Sequence, residues 1–160
     1  RRHNDSGPIE FLPSDVLGHI NRGLINCKLG KHVTMLGGVI DESEGTLTYS
    51  IGGHLPLPLL YVDGQARYLQ GKGKPVGLFA DAVYENHQID LPGAFSLILC
   101  SDGVLDCVEG TTLRNKEAQL PGLVERCEGS MQALLGSFGL QPGKVMPDDI
   151  SLMVLSRNRE

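Results

Sequence analysis

The segment 95–104 constrains the fold most, because an apolar run there ends abruptly in a hydroxyl, a carboxylate and a glycine. Turn residues bound the run on both sides, with Pro92-Gly93 before it and Asp102-Gly103 after it. A short apolar run between such signals favours a strand buried on both faces over a helix. The strand therefore delivers the Asp102 carboxylate to the edge of the core, where an isolated charge needs a cation, a donor or water.

A second segment near the end of the chain shows the same elements in reverse order. Pro147-Asp148-Asp149 is followed directly by the apolar run 150–155, which we expect to form another buried strand. If the two strands are antiparallel neighbours, the end of the first meets the start of the second. Asp102 and Asp148 would then converge at one edge of the sheet, and this convergence is the functional hypothesis.

Hydrophobic periodicity and turn signals predict a first helix that begins at Pro13-Ser14-Asp15 and closes at Gly30. Strands follow over residues 32–40, 46–51, 57–62, 65–69, 84–91 and 95–100, most of them joined by hairpins. A change of period indicates two helices between residues 104 and 138, split near Gly129, before the last strand. Strands segregated from helices in this order indicate an α+β fold with an antiparallel sheet.

Length and composition exclude several classes of protein. The 160 residues fit a single domain over 1–160, and the formal net charge of −5 argues against nucleic-acid binding through phosphate contacts. No apolar run approaches the ~20 residues that cross a bilayer, so no membrane partner is expected. None of the four cysteines has C-x-x-C spacing, and Cys100 falls inside an apolar strand. We therefore expect reduced thiols in a cytoplasmic protein.

The acidic segments suggest metal chemistry. Carboxylates such as those of Asp102, Asp148 and Asp149 are natural ligands of Mg²⁺ and Mn²⁺, and carboxylates brought together need cations to relieve repulsion. Two such ions about 3.5–4 Å apart can hold a bridging water and clamp a phosphoryl group for in-line attack. Gly103 would let backbone or substrate approach closely. A plain Asp-Gly turn and a solvated Asp148-Asp149 loop are the alternative explanation of the same residues.

Two other segments contain residues that could act on phosphate. Gly52-Gly53-His54 follows a strand and would place an imidazole as donor or proton carrier, although a loop histidine more often has no catalytic role. The loop 71–77 holds Lys72 and Lys74 among glycines but does not match a P-loop. It is either a plain connection or a flexible loop that meets an acidic or phosphorylated partner.

Five short blocks follow one another between residues 33 and 157. They are Gly37-Gly38-Val39-Ile40-Asp41, Leu47-Thr48-Tyr49 leading to Gly53-His54-Leu55-Pro56, Pro75-Val76-Gly77-Leu78, Leu99-Cys100-Ser101-Asp102-Gly103-Val104, and Asp148-Asp149-Ile150-Ser151. In order and spacing these blocks resemble the SpoIIE/RsbU-type branch of the PPM protein serine/threonine phosphatases. The combination is far more specific than any single block.

The resemblance implies a β-sandwich flanked by helices, with a Mn²⁺ or Mg²⁺ pair at one end. Asp102 and Asp148 match metal ligands of the family and are the expected catalytic residues. Asp149 takes the neighbouring place and Gly103 supports the ligand loop, so these four residues make up the expected metal site. The implied substrate is a phosphoserine or phosphothreonine on a bacterial regulatory protein, such as an anti-sigma antagonist. His54 matches a motif histidine without an assigned role.

The chain departs from the family pattern because it contains no block close to G-D-V-S-G-H-G, whose aspartate bridges both metals in the family, and no opening strands. One explanation is that the chain is the C-terminal part of a longer, catalytic PPM/SpoIIE-like domain. These 160 residues alone would then be inactive, with an incomplete metal site and sheet edges that favour a homodimer. The alternative is an inactive adaptor, like the output domain of the response regulator RssB, that binds a sigma factor or its antagonist.

Overall fold

A computed structural model describes residues 12–140, 143, 146 and 148–158. In chain order its elements are α1 (Pro13–Asn26), β1 (Met35–Asp41), β2 (Thr46–Gly52), β3 (Leu59–Val62), β4 (Gln65–Tyr68), β5 (His87–Asp90), β6 (Phe95–Cys100), a 3₁₀ helix (Asp102–Cys107), α2 (Leu113–Arg126), α3 (Met131–Ser137) and β7 (Leu152–Arg157). Two compact units divide the chain. The first unit comprises Arg1–Gly53 and Lys72–Ile89, and the second comprises His54–Gly71 and Asp90–Glu160.

The first unit is built on a three-stranded sheet in the order β1-β2-β5, with α1 packed against β1 and β2. The β1–β2 hairpin is continuous from Met35, opposite Gly52, to Asp41, opposite Thr46. A side chain at Gly37 would reach within 3.0 Å of the Leu17 side chain of α1. Gly37 therefore allows a close approach of the strand backbone to the helix, and no bulge interrupts the register of the hairpin.

The second unit contains a four-stranded antiparallel sheet in the order β4-β3-β6-β7. One face of this sheet carries the larger core, in which strand residues Leu59, Ile98 and Cys100 pack with residues of the 3₁₀ helix, α2 and α3. In α2, Leu120 and Val124 lie four residues apart and are both 1% exposed, as expected for the buried stripe of an amphipathic helix.

β6 and β7 are antiparallel neighbours, with Phe95 opposite Arg157 and Cys100 opposite Leu152. β6 has the bounds and the burial predicted from its sequence. The expectation of a second buried strand was wrong, because β7 lies at the edge of the sheet and exposes Met153 (62%) and Leu155 (43%). An edge strand with one face on the core buries only alternate residues.

Several predicted boundaries were also wrong. α1 ends at Asn26 rather than at Gly30, β5 is confined to His87–Asp90, and β7 begins two residues later than the apolar run. The 3₁₀ helix at Asp102–Cys107 was not predicted as a separate element. Among the described residues, no helix combines the length and apolar character needed to span a bilayer.

Candidate metal site at the ends of β6 and β7

Asp102 and Asp148 line one cavity of about 380 Å³ in the second unit. Asp102 is the first residue of the 3₁₀ helix, two positions after β6 ends at Cys100, and Asp148 precedes β7 by a few residues. Both acids are exposed. The antiparallel pairing of β6 with β7 places the two acidic segments at the same end of the sheet, which is the arrangement that convergence requires.

Ser101 connects the two acidic segments through three hydrogen bonds. Its N–H donates to the Ser151 carbonyl at 2.9 Å, and its hydroxyl oxygen accepts from the Ser151 N–H at 2.9 Å. The same hydroxyl donates to the Asp149 carbonyl at 3.3 Å. These bonds prolong the β6–β7 ladder past its last residue pair, so the two acids are held by paired backbone rather than by independent loops.

Gly103 allows the backbone of the Asp149 segment to come very close. A side chain at position 103 would place its Cβ 2.5 Å from the Asp149 carbonyl oxygen and 3.1 Å from the Ile150 side chain. The glycine is buried and is the second residue of the 3₁₀ helix, directly after Asp102. Its lack of a side chain therefore permits this close spacing of the two acidic segments. Asp149 contributes its backbone to this contact, and its N–H donates to Asp148 Oδ1 at 2.8 Å.

Asp106 and Lys116 line the same cavity, together with residues 110–113 and Leu105. Lys116 Nζ lies 3.4 Å from Asp106 Oδ1, and the lysine side chain is 22% exposed. Sequence reasoning singled out neither residue. The sequence offered one signal, the short spacing of Asp102 and Asp106, which puts both acids in the same 3₁₀ helix.

His54 is half-buried in the second unit, and its Nε2 has no hydrogen-bond partner within the described part of the chain. Burial lowers the pKa of His54, while an interaction with the Cys100 backbone and the negative charge of Asp102 oppose that shift. The imidazole therefore lies close enough to Asp102 to respond to its charge. The structure therefore places His54 near Asp102. From sequence, His54 was suggested only as a residue that could act on phosphate.

A protein-family model described as Stage II sporulation protein E (SpoIIE) matches residues 2–158. The chain belongs to the SpoIIE family. The curated protein IcfG of Synechocystis sp. (strain ATCC 27184 / PCC 6803 / Kazusa) is 27% identical over 133 residues, which cover 78% of this chain. The chain spans 20% of the length of IcfG.

Solved structures share the fold of this SpoIIE-family chain. The RsbU and RsbW domains of Rv1364c from Mycobacterium tuberculosis align with TM-score 0.74 and 22% identity, over 93% of this chain and 43% of that one. The Mn-presoaked phosphatase domain of SpoIIE from Bacillus subtilis aligns with TM-score 0.64 and 15% identity, over 100% and 76%. The SiaA-PP2C domain of Pseudomonas aeruginosa aligns with TM-score 0.63 and 21% identity, over 91% and 61%. The predicted family and its PPM-like α+β fold are confirmed.

The carboxylates of this SpoIIE-family site suit a hard divalent cation, because Asp102 and Asp148 present anionic oxygens to one cavity and are open to solvent. Asp102 accepts no hydrogen bond and joins no ion pair among the described residues. The donor set is incomplete, since no group of three His, Cys, Asp or Glu residues in the described part of the chain could hold an ion. Asp102 and Asp148 therefore fit as some, but not all, of the ligands of a metal site.

The lysine-containing loop of the first unit is tightly packed rather than open. A Cβ at Gly73 would overlap the Ile51 carbonyl, so this glycine allows the loop to lie against β2. Lys74 pairs with Asp81 at 3.1 Å and lies 4.9 Å from the Phe79 ring centroid. These contacts favour a connecting loop over a flexible loop that meets an acidic or phosphorylated partner.

Proposed function

We propose that this SpoIIE-family domain belongs to a metal-dependent phosphatase that removes phosphate from phosphoserine or phosphothreonine on a bacterial regulatory protein. The protein would act in the cytoplasm, as the output domain of a signalling protein. One observation carries the proposal. Two acids that are 46 residues apart by number (148 − 102) line a single cavity at the joined ends of β6 and β7.

Asp102 and Asp148 would hold the cations of a Mn²⁺ or Mg²⁺ pair, with further ligands from outside the described residues. When bound, such ions acidify a water and stabilise charge on a transferring phosphoryl group. The chain's own contribution is placement. The Ser101 hydrogen bonds and the close contact at Gly103 hold together the two segments that carry the acids, and the open cavity would admit a protein-linked phosphate.

The family supports the reaction class, and the neighbours include domains described as phosphatases. RsbU and RsbW domains occur together in one of the similar structures, which supports a regulatory protein as the partner. We accordingly propose a phosphorylated regulator as the substrate. Separately, β7 is an edge strand with exposed apolar residues, and we propose that the domain forms a homodimer through this edge.

The test measures hydrolysis of a phosphoserine peptide by the full-length protein with and without Mn²⁺. We expect Mn²⁺-dependent release of phosphate that Asp102→Asn abolishes while the circular dichroism spectrum is unchanged. Asp90→Asn, which removes an exposed carboxylate outside the cavity, serves as the control and should retain activity.

Hydrolysis at the wild-type rate in the Asp102→Asn protein would refute the catalytic assignment. If the wild-type protein shows neither Mn²⁺ binding nor hydrolysis, the proposal of a phosphatase fails. The adaptor hypothesis would then gain support from stable binding of a sigma factor or an anti-sigma antagonist.

A further inference from the structure

One cationic side chain stands out among the described residues that line the acidic cavity. Lys116 is in α2, whereas the acids Asp102, Asp106 and Asp148 come from the 3₁₀ helix and the segment before β7. The cavity wall is otherwise formed by small, hydroxyl-bearing or apolar residues. A lysine in such surroundings provides a compact positive charge for an anionic group.

The position of Lys116 is fixed by the packing of α2. Leu120 and Val124, four and eight residues further along, are each 1% exposed and anchor that stripe of the helix in the core. Lys116 lies at the N-terminal end of the same stripe, and its side chain is 22% exposed. Its stem passes close to Gly110, where a Cβ would be 3.1 Å from Lys116 Cγ. The stem is sheltered and the ammonium group reaches the cavity.

The ion pair with Asp106 leaves the Lys116 ammonium group able to bind a second anion. The Nζ–Oδ1 separation of 3.4 Å is longer than that of a strong charge-assisted hydrogen bond, and the Asp106 side chain is 48% exposed. An ammonium group has three donors, and Asp106 is the one anionic partner found for it among the described residues. A phosphoryl oxygen in the cavity could therefore be bound without breaking a buried contact.

We propose that Lys116 binds the phosphoryl oxygens of the substrate and positions the phosphate over the Asp102 and Asp148 end of the cavity. This inference deepens the proposed function and rests on it. Without Lys116, the charged side chains that a phosphate dianion meets on the described cavity wall would all be carboxylates. Lys116 is thus a substrate-binding residue, and its ammonium group supplies positive charge for an anionic phosphoryl group.

The experiment measures equilibrium binding of inorganic phosphate to the full-length protein by calorimetry in the presence of Mn²⁺. We expect Lys116→Ala to weaken binding about 10-fold, the loss of one charge-assisted hydrogen bond, and Lys116→Arg to restore most of it. Arg114→Ala is the matched control, because it removes an exposed positive charge two positions away in α2 that does not line the cavity. Its phosphate affinity should equal that of the wild type.

Hydrolysis of p-nitrophenyl phosphate supplies a second measurement, in which Lys116→Ala should raise KM about 10-fold. Unchanged phosphate affinity in Lys116→Ala, or an equal loss in Arg114→Ala, would overturn the inference. A wild-type protein that binds no phosphate would also overturn it. Lys116-dependent phosphate binding without hydrolysis would support the inference and contradict the proposed phosphatase activity. Hydrolysis with an unchanged KM in Lys116→Ala would do the reverse.

Discussion

The two ends of the β6–β7 strand pair each carry a charged side chain, but only one of these side chains is bound by the described residues around it. At one end the Arg157 guanidinium donates through Nη2 to the carbonyls of Leu91 and Pro92 at 3.1 and 2.6 Å, and lies 5.3 Å from the Phe95 ring centroid. At the other end, the carboxylate of Asp102 faces a cavity with no such partner in the described chain.

The difference separates a charge that holds the fold from a charge that the fold only positions. Arg157 donates hydrogen bonds to backbone carbonyls at the turn before β6, so its removal would lower the free energy of unfolding. Asp102 stabilises little by itself, and its segment is instead fixed by Ser101 and Gly103. Side chains that are held in place but left without internal partners are typical of binding and catalytic sites.

The largest expected effect is on activity at the acidic end. Asp102→Asn should lower phosphopeptide hydrolysis by at least about 100-fold, because the amide is a much weaker ligand for a hard cation. Its melting temperature should stay close to that of the wild type. Steady-state hydrolysis together with thermal denaturation measures both. A large fall in the melting temperature of Asp102→Asn with activity retained would show that Asp102 stabilises the fold and does not serve the reaction.

The next effect concerns backbone packing. Gly103→Ala should destabilise the protein by about 1–3 kcal/mol, since the new Cβ would lie 2.5 Å from the Asp149 carbonyl oxygen and force the segments apart. Gly93→Ala, before the opposite end of β6, meets nothing within 4 Å and should change stability by less than about 0.5 kcal/mol. Urea denaturation of both variants compares them. Equal stabilities would show that the contact at Gly103 does not matter.

A smaller effect is expected at the structural end. Arg157→Met keeps much of the apolar stem but removes the donors to Leu91 and Pro92, which should cost about 1–2 kcal/mol of unfolding free energy. Hydrolysis per folded molecule should be unchanged. The same denaturation and activity assays serve here. Loss of activity without loss of stability would show that Arg157 has a functional role and would contradict its assignment to the structural end.

The smallest effect is a pH dependence that originates at His54. Burial lowers its folded-state pKa below the ordinary value of 6.5, so between these two values the unfolded chain binds more protons than the folded protein. The contribution of His54 to stability is complete above pH 6.5 and is lost as the pH falls towards the folded pKa. Denaturation midpoints from pH 8 to pH 5 should fall less in His54→Gln. Identical curves for the two proteins would contradict this assignment.

The acidic end could be largely predicted from sequence because its signals are local. The apolar run of β6, the turn residues around it and the acid that follows are contiguous, so the strand was predicted with its correct bounds. The segregation of strands from helices along the chain predicted the α+β class, and the family blocks implied its PPM-like arrangement. The convergence of the two acids was predicted on the condition that β6 and β7 are antiparallel neighbours, and the structure shows that pairing.

The remaining features depend on residues far apart in sequence. The edge position of β7, and hence the exposure of Met153, is decided by which strands flank it. The hydrogen bonds of Ser101 with Ser151 join positions 50 residues apart. The Lys116 side chain reaches the cavity because Leu120 is buried in the core, and no local pattern reveals that direction.

The most direct test of the shared acidic site is Mn²⁺ binding to the full-length protein, measured by electron paramagnetic resonance. Asp102→Asn and Asp148→Asn should each weaken binding at least about 10-fold, and the double variant should lose less than the sum of the two, because both acids serve the same ions. Asp90→Asn should bind as the wild type does. Full Mn²⁺ affinity in both single variants, or strictly additive losses, would contradict the account.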